Sequence, residues 1–402
     1  MRSGINVATI FEEFGAKADD KDNFTPIQHQ VKRLICFCRT SKLGSHQEQC
    51  NSCGDVKVHF NSCGNRNCPN CQGVNKERWL LDRKYDLLPV KYFHAVFTVP
   101  SELRALFRFN QKALFNLLFR ASKETLFEFG QDPRQRMEAK LGMISILHTW
   151  NQQMRYHPHL HCIVPAGGID EKGNWKTSRG KDDFLFSVKA LSEKFKKKFL
   201  ILLVELYKSG EINLIPKGEL WNNATNFYAT KSKLYNKKWV VYSKEAFGGP
   251  EQVLEYLGRY THRIAISNHR IEKVDETHVT FRYLDRKNNK TAMRRVKGED
   301  FMALFLQHVL PKRFVKIRHY GFLSSRSKKG DLHRIRTALE VSFVEKKVKR
   351  SSREIIIKTT GIDPYQCSKC KKGMMVVIKI TPGTRGSPAR FFAPDKPIKL
   401  VL

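Results

Sequence analysis

Acidic side chains are scarce in this 402-residue chain: 38 Asp and Glu stand against 73 Lys and Arg, a formal net charge of +35. Solubility requires far less, and so large an excess of one sign points to a polyanionic partner, nucleic acid ahead of an anionic membrane surface. Long apolar runs are missing as well. The longest, such as Phe199 to Val204, fall far short of the roughly 18 uncharged residues that a membrane-spanning helix needs, which argues against a membrane protein. The opening MRSGINVATIFEEFG lacks a signal-peptide core followed by a small-residue cleavage site, so the expected location is the cytoplasm. No internal repeat is found.

The hydrophobic share of 41% is ample for a substantial core and for two or three domains. Ten cysteines are present: seven between Cys36 and Cys71, the pair Cys367-x2-Cys370, and Cys162 alone. In a reducing compartment, cysteines spaced two apart read as metal ligands rather than disulfides. Cys50-x2-Cys53 and Cys68-x2-Cys71 are separated by 14 residues, close to zinc-ribbon spacing. The expectation is one structural Zn²⁺ held by these four thiolates, with Gly54 and Pro69-Asn70 shaping the two knuckles. Cys36, Cys38, His46, His59 and Cys63 lie near enough to supply a second zinc, with Cys38, His46 and Cys63 the better candidates. Packing as small apolar groups is the alternative for the unpaired thiols. Cys367 and Cys370 read either as half of a site completed elsewhere or as a simple turn. With Arg66, Lys76 and Arg78 nearby, the N-terminal platform suits contact with DNA.

Residues 1–90 read as a metal-stapled domain with little apolar periodicity outside Ile27–Cys38. From Tyr92 the texture changes. YFHAVFTVP is a strand, LRALFRFNQKALFNLLFRASKETLFEF has helical spacing, and LGMISILHTW and HLHCIVPAGG are further strands. LSEKFKKKFLILLVELYKSG then reads as a helix, KKWVVYS as a strand, and a helix enters at Gly249-Pro250 and runs to about Tyr260. Residues 91–270 form a mixed α/β (α+β) domain. In the third part, 271–402, AISNHRI and VTFRYLD suggest a small sheet, FMALFLQHVL a helix, and the basic tail from Ser342 a segment that orders with a metal or DNA.

Two motifs carry chemistry. His159 and His161 sit two apart on a strand, so both imidazoles project from one face and are able to share a cation. His157, Gln152 and His148 compete as third ligand. Tyr256 and Tyr260 are one turn apart on a helix, so two phenols face one site, with Arg259 or Arg263 free to meet a phosphate. Each motif alone is more often structural. Together they suit attack of a tyrosine on a phosphodiester beside a cation. No G-x-x-x-x-G-K-[ST] loop is present, consistent with strand joining that draws on a phosphotyrosine instead of ATP.

LGSHQEQCNSCG, NSCGNRNCPNCQ, FHAVFTVP, HTWNQQMRYHPHLHCIVPAGGI, YLGRYTHRIAISNHRI and IRHYGFLS occur in that order. The combination resembles the HUH-type rolling-circle transposases of the insertion-sequence-ninety-one type over roughly residues 30–325. The resemblance implies a zinc domain ahead of a catalytic domain whose sheet is like that of the RNA-recognition fold. It implies that His159 and His161 bind Mg²⁺ or Mn²⁺, that Tyr256 and Tyr260 are the nucleophiles, and that the substrates are single-stranded transposon ends and target DNA. The bacterial nucleoid is then the expected address. Relaxases and plasmid replication initiators share this chemistry, and a non-catalytic zinc-ribbon DNA-binding protein is the competing class.

Overall fold

The computed structural model describes residues 4–135, 137–177, 185–217, 219–246, 252, 253, 255, 256, 258, 264–285, 288–341 and 350–384. The chain opens with two helices. α1 (Val7–Lys21) is started by Asn6, whose side chain accepts from the Ala8 and Thr9 amides while Thr9 Oγ1 accepts from the Asn6 amide. Val7, Ile10, Phe11, Phe14 and Ala18 bury one face of it. This helix is absent from the sequence expectation, because Glu, Gly and Ala dilute its apolar stripe to short fragments. α2 (Pro26–Phe37) follows Thr25, with proline at its first position, where no amide is needed.

β1 (Ser45–Cys50) and β2 (Val56–Phe60) form a hairpin, and α3 (Gly73–Lys84) leads to β3 (Tyr92–Thr98). α4 (Arg104–Phe109) and α5 (Gln111–Gln131) divide the long helical pattern at Asn110. β4 (Lys140–Trp150), β5 (Tyr156–Pro165), β6 (Gly167–Ile169) and β7 (Trp175–Thr177) come next. They are followed by α6 (Val188–Lys208), α7 (Ala224–Asn236) and β8 (Val241–Ala246). β9 (Ile271–Val274), β10 (His278–Asp285) and β11 (Lys290–Lys297) make a separate antiparallel sheet capped by α8 (Gly298–Leu306). β12 (Ile317–Gly321), α9 (Lys328–Ala338), α10 (Ser352–Thr360) and β13 (Met375–Thr381) complete the described chain.

The main sheet is antiparallel in the order β7-β6-β4-β5-β3-β8, with β12 also paired to β4. Alternation sorts its side chains onto two faces. Phe93, Ala95 and Phe97, with Leu160, Cys162 and Val164, pack beneath Phe115, Phe119, Phe195 and Phe199 of α5 and α6 in the largest core cluster. The opposite face carries Ile144, Ile146, Ile163 and the histidines described below, and it meets Leu80, Val253 and Tyr256. A one-residue slip would exchange the histidines for the apolar core, so burial of the α5/α6 face fixes the register that assembles the site.

A second cluster joins Phe11, Phe14, Val31 and Ile35 to Phe281, Phe301 and Phe305, with Phe11 edge-on to Phe305 at 5.3 Å. It crosses the expected boundaries at 90 and 270, since the N-terminal helices need α8 and the β9–β11 sheet to bury their apolar faces. In the tail, β13 adds to the N-terminal hairpin, giving the sheet β13-β1-β2.

Candidate active site and metal centres

β4 and β5 place His148 directly opposite His159, and the β5 alternation puts His161 on the same face. One ring nitrogen from each of His148, His159 and His161 lies within 4.8 Å of the others, and all three residues are buried. Of the three candidates for a third partner, His148 is the one that joins the pair. Gln152 lies beyond the end of β4, and its carbonyl accepts from Arg270 Nη2 at 2.6 Å. His159 Nδ1 is 2.6 Å from the His157 carbonyl oxygen. A carbonyl only accepts, so Nδ1 carries the proton and Nε2 is left with its lone pair. That Nε2 faces His161 Nε2 at 3.1 Å. Two cis ligands on an octahedral cation at about 2.1 Å are separated by about 3.0 Å, so the donor set fits a small divalent ion.

β3 supplies a fourth histidine on this face. His94 Nε2 lies 2.9 Å from His161 Nδ1, and the rings stack. Burial pushes His94 down to about 4, so the ring is neutral near pH 7. The Tyr256 hydroxyl lies 2.6 Å from His94 Nδ1. Tyr256 is half-buried on a helical stretch whose Gly258 sits so close to α3 that an added Cβ would be 2.9 Å from Leu80 Cδ1. Tyr260, Arg259 and Arg263 lie outside the described residues.

The thiols form two groups of four. Cys38, Cys63, Cys68 and Cys71 converge, with Cys38 Sγ 3.4 Å and Cys63 Sγ 3.7 Å from Cys71 Sγ. Cys50 and Cys53 instead meet Cys367 and Cys370, with Sγ separations of 3.7 Å for Cys50–Cys370 and for Cys53–Cys367. Zn–S bonds of about 2.3 Å in a tetrahedron put sulfurs about 3.8 Å apart, which both groups approach. Hydrogen bonds from the Cys38, Cys63 and Cys68 thiols hold Cys71 well below the usual thiol range. The Gly373 and Lys372 amides bring Cys370 down to about 6. The expected grouping of Cys50, Cys53, Cys68 and Cys71 is therefore corrected. Chain spacing pairs neighbouring knuckles, whereas the fold brings the Cys38 end of α2 to one and the C-terminal pair to the other. His46 belongs to neither group: it stacks on His59 at 5.4 Å and faces Asn61 and Glu48.

A family model described as "Putative transposase" matches residues 142–330, and one described as "Transposase zinc-binding domain" matches residues 10–99. "Putative transposase y4qJ" of Sinorhizobium fredii is 38% identical over 393 residues, covering 96% of this chain and 98% of its own. The chain belongs to the transposases of the insertion-sequence-ninety-one type. "Transposase for insertion sequence element IS801" of Pseudomonas savastanoi pv. phaseolicola is 26% identical over 362 residues, 88% of this chain and 84% of its own. No solved structure matches.

In this transposase the zinc-domain match spans all of the first thiol group but only Cys50 and Cys53 of the second, and Zn²⁺ is its metal. The transposase match spans His148, His159, His161 and Tyr256. Arg66, expected at DNA, turns its fork inward instead: Nη1 and Nη2 donate to the Phe314 and Pro311 carbonyls at 2.6 and 3.2 Å. It ties the zinc platform to the segment before β12. His94 was not among the expected site residues. Its signal in the sequence is the alternation of FHAVFTVP, which puts it on one face of β3, but nothing local says that this face meets His161. No helix among the described residues is long and apolar enough to cross a membrane.

Proposed function

We propose that this transposase nicks one DNA strand and transfers it through a 5′-phosphotyrosine, with His148, His159 and His161 holding Mg²⁺ or Mn²⁺ and Tyr256 as a nucleophile. The observation that carries the reading is the His159–His161 Nε2 pair at 3.1 Å, with the Tyr256 hydroxyl one histidine away. A cation there polarises the phosphate and offsets the charge that develops in the transition state.

The chain's own groups do the rest. With His161 Nε2 turned to the cation, its ring proton stays on Nδ1 and is donated to His94 Nε2. The Tyr256 hydroxyl lies against the same ring, 2.6 Å from Nδ1 and 3.0 Å from Nε2, which sets its oxygen beside the proposed cation site. The phenol proton passes to water, which the half-buried position of Tyr256 allows. The phenolate oxygen attacks phosphorus, the O–P bond to tyrosine forms, and the bond to the 3′ oxygen breaks. That oxygen takes up a proton and leaves as a 3′-OH. Attack of a 3′-OH on the adduct reverses these steps, so joining needs no ATP. Single-stranded transposon ends and target are the substrates that this reading calls for, because a phosphodiester has to reach histidines set in a sheet face.

The test is a denaturant-resistant adduct between the protein and 3′-labelled single-stranded DNA in Mg²⁺ or Mn²⁺. Wild type forms it, and the Tyr256→Phe, Tyr260→Phe double variant forms none. An adduct from the double variant overturns the assignment and turns attention to Tyr242, whose ring lies 6.2 Å from His94.

A further inference from the structure

We infer that Cys50, Cys53, Cys367 and Cys370 hold a second structural Zn²⁺ that clips the C-terminal segment onto the N-terminal hairpin. Neither family match reaches Cys367 or Cys370, since they cover residues 10–99 and 142–330. The four sulfurs come from two knuckles about 300 residues apart in sequence, yet their Sγ atoms all lie within 4.8 Å of one another.

The knuckles are built as ligand cradles. The Ser52 amide donates to Cys50 Sγ at 3.4 Å, and the Gly373 amide donates to Cys370 Sγ at 3.3 Å. These bonds stabilise thiolates. Lys371 takes a left-handed φ of 57° to turn the second knuckle. Gly373 leaves room for the first: a Cβ there would lie 2.5 Å from Cys50 Sγ and 2.6 Å from Ser52 Cβ. Four thiolates and Zn²⁺ carry a net charge of −2. Lysines surround it: Lys57 is bonded to Ser368 Oγ, Lys369 pairs with Asp55 at 3.5 Å, and Lys371 and Lys372 follow Cys370. Soft sulfur in a tetrahedral S₄ set selects zinc over Mg²⁺ or Ca²⁺.

The clip has something to hold. Around it β13 pairs with β1 from Ser45↔Thr381 to Cys50↔Met375. The same segment lays α10 on α3, where Arg78 Nη2 donates to Ser352 Oγ at 2.8 Å. α3 in turn supports the Tyr256 stretch through Leu80 against Gly258. A loop between residues 53 and 367 closed by metal also removes much unfolded-state freedom, as any long-loop cross-link does. Metal binding here is thus coupled to the order of the C-terminal segment and to the layer behind Tyr256.

Metal content of the full-length protein tests this, independently of whether it cuts DNA. Purified without chelator, the chain carries two zinc ions, and the Cys367→Ser, Cys370→Ser variant carries one. In that variant the β13 amides also lose their hydrogen-exchange protection, while those of α2, beside the first thiol group, keep theirs. Gly373→Ala retains every thiol yet releases one of its two zinc ions to a chelator at least tenfold faster than wild type, which keeps the test open if the serine variant does not fold. A single zinc in wild type, two in the serine variant, iron in place of zinc, or Cys50–Cys370 and Cys53–Cys367 disulfides would each overturn the inference.

Discussion

The Tyr256 hydroxyl is held 2.6 Å from Nδ1 of His94 by two elements far apart in the chain. Since His94 also touches His161 at 2.9 Å, it connects the proposed nucleophile to a proposed cation ligand without occupying either role. His94→Phe therefore slows adduct formation about 100-fold, the scale that misplacing a reacting group costs. His94→Gln, which retains a donor, recovers part of the loss. Zinc content and DNA affinity stay at wild-type levels in both. Single-turnover labelling of the adduct measures the rates, and a His94→Phe protein as fast as wild type removes the histidine from the mechanism.

The burial of His308 predicts a loss of stability in acid. Burial pushes this ring down to about 4; its Nδ1 accepts from Thr149 Oγ1 at 3.1 Å and its Nε2 donates to the Met154 carbonyl at 3.0 Å. A histidine whose folded pKa lies below its unfolded value binds fewer protons folded than unfolded between the two. The stability is fully present above about 6.5 and is lost as pH falls toward 4, to a total of about 3 kcal/mol. Denaturation midpoints measured from pH 7 to pH 4 follow this fall, and His308→Gln makes it shallower. An unchanged slope assigns the acid lability to His94 and His319, both also pushed down to about 4 by burial.

What the sequence discloses here depends on the distance over which each signal acts. His159 and His161 are legible because strand alternation is a two-residue property, and α5 and α6 because their apolar spacing runs through several turns. Tertiary partners are not local. The Cys50-x2-Cys53 knuckle matches Cys68-x2-Cys71 by spacing, but its partner lies beyond residue 360, and the Cys68-x2-Cys71 knuckle is completed by Cys38 and Cys63, which belong to no such pair. Arg66 read as a DNA contact from its surroundings in sequence, while the carbonyls that take its fork lie about 250 residues away. α1 is not legible because its apolar stripe is broken into short fragments and is buried against α2, β10 and α8, two of them more than 250 residues away.

Gly321 should be intolerant of any side chain. It ends β12 with φ of +61°, and a Cβ would lie 1.6 Å from the Leu141 carbonyl oxygen of β4, the strand that carries His148. Gly321→Ala therefore combines left-handed strain, about 1 kcal/mol, with a backbone clash that forces β12 off β4. A fall in thermal midpoint of more than about 5 °C is the expected result. A midpoint within a degree of wild type means that this turn relaxes without disturbing β4.

Binding and cutting should separate in the His159→Ala variant. The formal net charge of +35 comes from Lys, Arg, Asp and Glu spread over the chain, and removing one buried imidazole leaves it unchanged. Affinity for single-stranded DNA then falls with salt along the same line as wild type, with a log–log slope of about −0.7 for each phosphate neutralised. Cleavage is expected to behave differently, because the Nε2 lone pair that His157 orients toward the proposed cation site is gone. Adduct formation is expected to drop below detection in Mg²⁺ and Mn²⁺ alike, while the zinc content is unchanged because the thiol groups lie elsewhere. Filter binding at several salt concentrations, run beside the adduct assay on the same preparation, reads both quantities. Loss of binding in step with loss of cutting means that His159 serves the fold or the DNA surface, and the cation reading of the triad fails.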